Sequence, residues 1–214
     1  MPGGRRLTEE LAHLLLIETI NIMVFVSLSP FLSKRFLVFF FALLALSAIT
    51  TFAESTLFSV GATPYDHQMA RIQPVLTCGT ERNENLSIQV VNHWMSDLRG
   101  IPYGYLTQWR RPEEVAHDSV ADCKGKAVSL YERMRAHGAH NLRLVIGKRA
   151  PTSRVTHTWV EWTYGRQTYV LDPTINWTAC LVSTTSSNSY VPYFAFDGSK
   201  KYRATSASDL YARL

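Results

Sequence analysis

Residues 156–172 read THTWVEWTYGRQTYVLD, and this stretch predicts the fold of the second half of the chain. Branched and aromatic residues dominate positions 156–163 and 167–171, which is typical of two strands, and the glycine at 165 indicates a hairpin turn between them. Strands joined by so short a turn pair antiparallel. His157 lies at the start of the first strand and Asp172 directly after the second, so we expect the two residues on adjacent strands.

Two helices are predicted before this hairpin. Apolar residues recur at helical spacing over residues 85–98, and Gly100 follows as a helix stop. A second helix is predicted over residues 119–137, with Asp118 or Ser119 as its N-cap. The chain therefore has the pattern of an α+β protein, with helices packed on an antiparallel sheet that follows them.

The other expected elements complete this fold. They are an extended lead-in at 54–84, a strand at 142–147, a loop at 176–188, an edge strand at 190–196 and a short helix at 206–213.

The first 53 residues are interpreted as a leader. Two basic residues precede an apolar run at 36–49, and small and polar residues up to Ala53 follow it, which is the pattern of a secretory signal. An uncleaved anchor is the alternative, although the run is short for a membrane span. A long segment precedes the two basic residues, which suggests that translation begins at Met23. The alternative is that this segment forms a first amphipathic or membrane helix, in a hairpin with the apolar run at 36–49. We expect residues 54–214 to form one domain that is periplasmic or secreted.

The charge pattern argues against nucleic-acid binding. The 214 residues have a formal net charge of +5, but the basic residues are scattered, and the two pairs at 110–111 and 200–201 are not tracts. A solvated surface explains such a pattern better than a nucleic-acid partner. Neither a nucleic acid, nor a membrane beyond the signal segment, nor a cofactor is expected.

All three cysteines lie in the part expected to be exported. Their positions, Cys78, Cys123 and Cys180, include no CxxC spacing, so no zinc site is expected. An oxidising compartment favours disulfides, and Cys78 and Cys180 could pair if Cys123 stays free. Unpaired thiols at both positions are an equal alternative.

Cys123 is the candidate nucleophile. It lies within the first turn or so of a predicted helix with Lys124 and Lys126 beside it, and both a helix N-terminus and a nearby cation lower the pKa of a thiol. His157 can serve as the base, and Asp172 can accept from its second ring nitrogen. Each has an alternative role: a structural cysteine, an ordinary half-buried histidine, and a turn-initiating aspartate. We expect the strand face shared by His157 and Trp159 to pack on the helix that carries Cys123.

Four segments carry the candidate residues and their neighbours: WRRPEE at 109–114, DCKGKA at 122–127, HTWVE at 157–161 and VLD at 170–172. Together they resemble the transglutaminase-like superfamily, and most of all its bacterial, periplasmic cysteine proteinases. The resemblance extends over roughly residues 86–196. It implies a papain-like α+β fold in which Cys123 is the nucleophile, His157 the base and Asp172 the residue that orients the base.

The resemblance also raises the question of calcium. Some members of that family need calcium, held by acidic residues around the cysteine, where they read Asp-Cys-Glu-Asp. This chain reads Asp122-Cys123-Lys124-Gly125, so two carboxylates are missing and a cation is present. A hard cation requires several oxygen ligands, and no metal is expected at this position.

The sequence therefore predicts an exported thiol hydrolase, a cysteine peptidase or amidase that cleaves a peptide or amide bond in a protein or peptide substrate. The backbone N–H of Cys123 is one expected oxyanion donor, and Gln108 or Trp109 is a candidate for the second. Acyl transfer to an amine and a non-catalytic binding module on the same fold are the alternatives.

Overall fold

The computed structural model describes residues 56–79, 86–185 and 189–205 of the chain. The chain separates into two compact units, Met1–Thr51 and Phe52–Leu214, and all of these residues belong to the second. The leader and the helix predicted at 206–213 lie outside the described residues. The elements are β1 (Thr56–Ser59), α1 (Asp66–Leu76), α2 (Ile88–Gly100), α3 (Pro112–His117), α4 (Cys123–Ala136), β2 (Leu142–Lys148), β3 (His157–Tyr164), β4 (Gln167–Leu171), β5 (Cys180–Leu181), a 3₁₀ turn (Val182–Thr184), β6 (Val191–Asp197) and β7 (Lys200–Thr205).

The seven strands form one antiparallel sheet in the order β1-β7-β6-β2-β3-β4-β5. Successive residues of a strand point to opposite faces, and the core divides accordingly. Leu144 and Val160 belong to the larger cluster, which they share with buried residues of α1, α2 and α4. Val145 and Trp159 belong to a smaller cluster on the other face. This arrangement confirms the α+β class with helices on an antiparallel sheet.

The described residues include no helix that is both long and apolar enough to cross a bilayer.

The hairpin and the two predicted helices are present with shifted ends. β3 and β4 are joined through Gly165, whose φ of 63° explains the glycine, since side chains disfavour that conformation. α2 is capped by the Ser87 side chain, which accepts from the N–H of Val90. α4 begins four residues later than predicted, and its cap is Asp122, not Asp118 or Ser119.

Three predicted elements differ from the structure. The lead-in at 54–84 is not merely extended, because it contains β1 and the helix α1, in which Pro74 lies in the last turn and obscures the helical pattern. The strand predicted at an edge is β6, and it lies between β2 and β7. The error arose because β7 reads KKYRAT, which is polar and did not indicate a strand. The predicted loop at 176–188 also contains β5 and the 3₁₀ turn.

The predicted orientation of Trp159 is wrong as well. Its indole is fully buried in the smaller cluster, on the sheet face away from α4, with Val145, Val170 and Ala195. The face of β3 that meets the helices carries Val160 instead. His157 and Trp159 do lie side by side as predicted, with stacked rings whose centroids are 6.3 Å apart, but the face of β3 that packs on α4 is the opposite one. His157 interacts with Cys123 from the start of the strand.

Candidate active site

Cys123 is the first residue of α4 and is buried. The preceding residue, Asp122, caps the helix because its Oδ1 accepts from the N–H of Gly125 at 3.0 Å. Val115 of α3 lies so close to Gly125 that an added Cβ there would be 3.0 Å from its side chain. The cap and this close packing fix the start of the helix, so the thiol is held at the positive end of the helix dipole.

His157 and Asp172 are joined by a hydrogen bond of 2.7 Å between Nε2 and Oδ2. His157 begins β3, and Asp172 follows β4, its hairpin partner. The carboxylate is fully buried and the imidazole nearly so, with 12% of its side chain exposed. Because Nε2 is used by Asp172, Nδ1 is the ring nitrogen left for a further partner.

The electrostatics of His157 link it to Cys123 as well. Burial alone lowers the pKa of the imidazole, but side-chain interactions with Asp172 and with the Cys123 thiol outweigh it and raise that pKa to about 9. The structure thus brings the three predicted residues into one cluster, with the imidazole between thiol and carboxylate. An imidazole in this position can exchange a proton with the thiol while the carboxylate stabilises its charged form.

Asp172 is held by more than His157. Its Oδ1 accepts from the N–H of Thr174 at 3.0 Å, and its Oδ2 also accepts from the hydroxyl of Tyr190 at 3.0 Å. The amide of Asn176 in turn donates to that hydroxyl at 2.9 Å. The sequence did not indicate Tyr190 or Asn176 as site residues. Tyr190 lies just before β6 and Asn176 lies in a polar loop, and no sequence pattern links either residue to Asp172.

Arg99 ties the end of α2 to the turn that follows Asp172, and Lys126 ties α4 to the end of α2. The guanidinium of Arg99 donates to the carbonyl oxygens of Thr174 and Ile175. The Lys126 side chain is almost fully buried, and its ammonium donates to the carbonyl of Ile101 at 2.6 Å. Burial, and then the nearby Arg99, lower the pKa of Lys126. The Arg99 contacts hold the turn against the end of α2, which Lys126 joins to α4.

Lys124 binds the loop that precedes α3. Its ammonium donates to the carbonyl of Leu106 at 2.8 Å and forms an ion pair with Asp122. The N–H of Leu106 donates to the same carboxylate at 3.2 Å, and the ammonium lies 5.1 Å from the ring centre of Tyr105. Lys124 thus links the loop to Asp122, the residue that precedes Cys123.

The two side-chain candidates for the oxyanion donor differ in exposure. Gln108 is exposed in this same loop, whereas the indole of Trp109 is buried in the larger core cluster. Their predicted role stays a prediction.

The oxygen atoms next to Cys123 are already engaged. Asp122 accepts hydrogen bonds from Lys124, Leu106 and Gly125, and its side chain is only 1% exposed. Within the described ranges, no group of three His, Cys, Asp or Glu side chains could hold a metal ion. The residues present here therefore do not fit a calcium ion beside the thiol.

Cys78 and Cys180 are free thiols, as is Cys123. Cys78 follows α1 and lies near Glu132 and Arg135 of α4, where burial raises its pKa. Cys180 lies on the edge strand β5. Of the two alternatives for Cys78 and Cys180, the structure therefore has the unpaired thiols and not the disulfide.

Solved structures of Legionella pneumophila LapG are similar to this chain. One has a TM-score of 0.49 at 15% identity and covers 67% of this chain and 92% of LapG. The calcium-bound form has a TM-score of 0.48 at 15% identity, covering 71% and 92%. The EGTA-treated form has a TM-score of 0.48 at 14% identity, covering 66% and 91%. At such scores the likeness assigns neither a family nor an activity.

No protein-family model and no curated protein matches the chain.

Proposed function

We propose that this protein is an exported thiol hydrolase that cleaves a peptide or amide bond, with Cys123 as nucleophile, His157 as base and Asp172 as the residue that orients the base. The observation that carries the proposal is the bridging position of His157. One side of its ring interacts with the thiol, and its Nε2 donates to a buried carboxylate at 2.7 Å. A thiol becomes a good nucleophile when an oriented base takes its proton.

The first half of the reaction forms a thioester. His157 takes the proton of Cys123, and the sulfur attacks the carbonyl carbon of the scissile bond. The carbon–nitrogen bond then breaks, and the imidazolium gives its proton to the leaving amine. The proposed oxyanion donors are the N–H of Cys123, which is the first residue of α4, and Gln108 or Trp109.

The second half restores the enzyme. His157 takes a proton from water as the water oxygen attacks the thioester carbon. The carbon–sulfur bond breaks, the carboxylic acid is released, and the imidazolium returns its proton to the sulfur of Cys123. An amine in place of water would give acyl transfer instead. The chemistry up to the thioester is shared, so only product analysis with and without an added amine distinguishes the two reactions.

The test of the proposal is labelling of the full chain with an electrophilic peptide-like thiol probe. We expect rapid labelling of Cys123, loss of labelling in Cys123→Ala, and slow labelling in His157→Ala. Cys78→Ala and Cys180→Ala are the matched controls, because both thiols are free and partly exposed. In each of these variants the probe should label Cys123 at the wild-type rate. Labelling of Cys123 at the rate of an ordinary thiol would favour the binding module.

Export is part of the proposal and has its own test. The apolar run at 36–49 and the small residues before Glu54 motivate a cleaved leader. N-terminal sequencing of the periplasmic or secreted fraction should give a chain that starts near Glu54. A mature chain that retains residues 36–49 would indicate a membrane anchor.

A further inference from the structure

The carboxylate of Asp172 has two donors on the same oxygen. Oδ2 accepts from Nε2 of His157 at 2.7 Å and from the hydroxyl of Tyr190 at 3.0 Å. The other oxygen accepts from the N–H of Thr174. A carboxylate that is fully buried needs such donors, and here both oxygens are fixed in direction.

Tyr190 is itself held firmly. Its φ of 55° is unusual for a residue with a side chain, its N–H donates to the carbonyl of Arg149 at 2.9 Å, and its ring packs edge-on against Trp159 at 5.3 Å. The amide of Asn176 donates to the hydroxyl oxygen at 2.9 Å. Because a hydroxyl has one proton and Asn176 supplies its own, the proton of Tyr190 is directed to Asp172.

We propose that Tyr190 is a positioning residue, which holds the carboxylate of Asp172 in the rotamer that His157 requires. This inference rests on the proposed function, since it assigns Tyr190 a role in the same cluster. The hydroxyl and the N–H of Thr174 clamp the carboxylate from its two oxygens, so it cannot turn away from the imidazole. Asn176 therefore donates to Tyr190, and Tyr190 and His157 both donate to the same oxygen of Asp172.

The surroundings keep the phenol a donor at every relevant pH. Burial, and then the negative charge of Asp172, raise the pKa of Tyr190, so the hydroxyl does not ionise. The charged and titratable groups that interact with this cluster are Arg149 at Tyr190, the buried Lys126 at Asp172, and Cys123 at His157.

The test compares Tyr190→Phe with Tyr202→Phe in the full chain. Both changes remove one hydroxyl from a partly buried tyrosine that packs on the smaller cluster, but only Tyr190 donates to Asp172. The titration midpoint of His157, followed by NMR of histidine-labelled protein, should fall by about one pH unit in Tyr190→Phe, a tenfold loss in proton affinity. It should stay unchanged in Tyr202→Phe. Labelling of Cys123 by the thiol probe should slow by about tenfold or more in Tyr190→Phe alone.

A second comparison separates positioning from general packing. In the Asp172→Asn background, Tyr190→Phe should produce no further change, because the group on which it acts is gone. Additive effects, an unchanged midpoint, or an equal shift in Tyr202→Phe would overturn the inference. A midpoint that rises would also overturn it, because the phenol would then compete with His157 for Oδ2. If wild-type Cys123 labels no faster than an ordinary thiol, the proposed function fails instead, whatever Tyr190 does to the titration.

Discussion

Nε2 of His157 and Oδ2 of Asp172 lie 2.7 Å apart, joining the first residue of β3 to the residue that follows β4. The ladder pairs Val160 with Leu171, so the two strands run side by side up to this point. The hairpin register therefore sets the distance between the imidazole and the carboxylate. A one-residue slip would turn one of the two side chains to the other face of the sheet.

The raised pKa of His157 makes stability depend on pH. The pKa in the folded chain is about 9 and its ordinary value is 6.5, so the folded state binds the proton more tightly than the unfolded state does. We expect His157 to contribute its full stabilisation below pH 6.5 and to lose it as the pH rises through about 9. Urea unfolding at a series of pH values measures the effect.

The matched variants for this measurement are His157→Gln and His93→Gln. The first should flatten the free energy of unfolding between pH 6.5 and 9, whereas His93, whose side chain is 76% exposed, should leave the profile unchanged. A wild-type profile that is flat in this window would contradict the prediction.

Asp172→Asn should cost roughly three to four orders of magnitude in turnover of an activated ester. In the amide, an NH2 group replaces one carboxylate oxygen and would face either the N–H of Thr174 or Nε2 of His157, and against Nε2 it favours the wrong tautomer of the imidazole. The neutral amide also stabilises the imidazolium less than the carboxylate does. Asp97→Asn is the control, since that carboxylate is half exposed on α2. Turnover within threefold of the wild type would show that Asp172 does not orient the base.

Calcium should neither bind beside Cys123 nor be needed for activity. The ammonium of Lys124 and two backbone N–H groups already occupy the oxygens of Asp122. Calorimetry should give no tight calcium site, and a chelator should leave the rate of Cys123 labelling unchanged. A tight site that disappears in Asp122→Ala would refute this expectation.

Lys124→Met should destabilise the fold by about 3 kcal/mol, because it leaves the buried carboxylate of Asp122 without its cation. Lys200→Met, at an exposed position, should change the free energy of unfolding by less than about 0.5 kcal/mol. Thermal and urea unfolding of the two variants test the difference. Equal stabilities would mean that the ion pair contributes nothing.

Gly147→Ala should be among the most damaging substitutions in the sheet. A Cβ at this position would lie 2.1 Å from the carbonyl oxygen of Val191 and 2.7 Å from the indole of Trp159. Gly147 pairs with His157 across the ladder, next to an irregularity in the pairing of β2 and β6, so the strain falls beside the site. We expect a loss of at least about 3 kcal/mol in the free energy of unfolding.

Gly61→Ala is the control for this substitution, since nothing lies within 4 Å of a Cβ added there. It should stay within about 0.5 kcal/mol of the wild type. A Gly147→Ala variant as stable as Gly61→Ala would show that β2 and β6 can move apart at this point.

The sequence predicted best what depends on local pattern. The strands β3 and β4, the glycine at their turn and the helix with Cys123 near its start all follow from residues close together in the chain. The same hairpin was enough to expect His157 beside Asp172. These predictions succeeded because propensity and tertiary structure agree in these segments.

What the sequence did not predict depends on residues far apart in the chain. The central position of β6 is set by pairing with β7, which is polar, and the burial of Trp159 is set by the smaller cluster on the far face. Tyr190 immediately precedes β6, and Asp172 immediately follows β4. The two residues meet because the sheet order β6-β2-β3-β4 brings these strands together. No local pattern specifies such contacts, since the sheet order decides them.

The pairing of β1 with β7 joins the first and the last described strands of the chain. β6, which lies between β7 and β2 in the sheet, follows β2, β3, β4 and β5 in the chain. A growing polypeptide consequently cannot complete this sheet until β7 has been synthesised. A nascent chain that ends before Tyr190 has Cys123, His157 and Asp172 but lacks both the phenol that donates to Asp172 and β6, which pairs with β2.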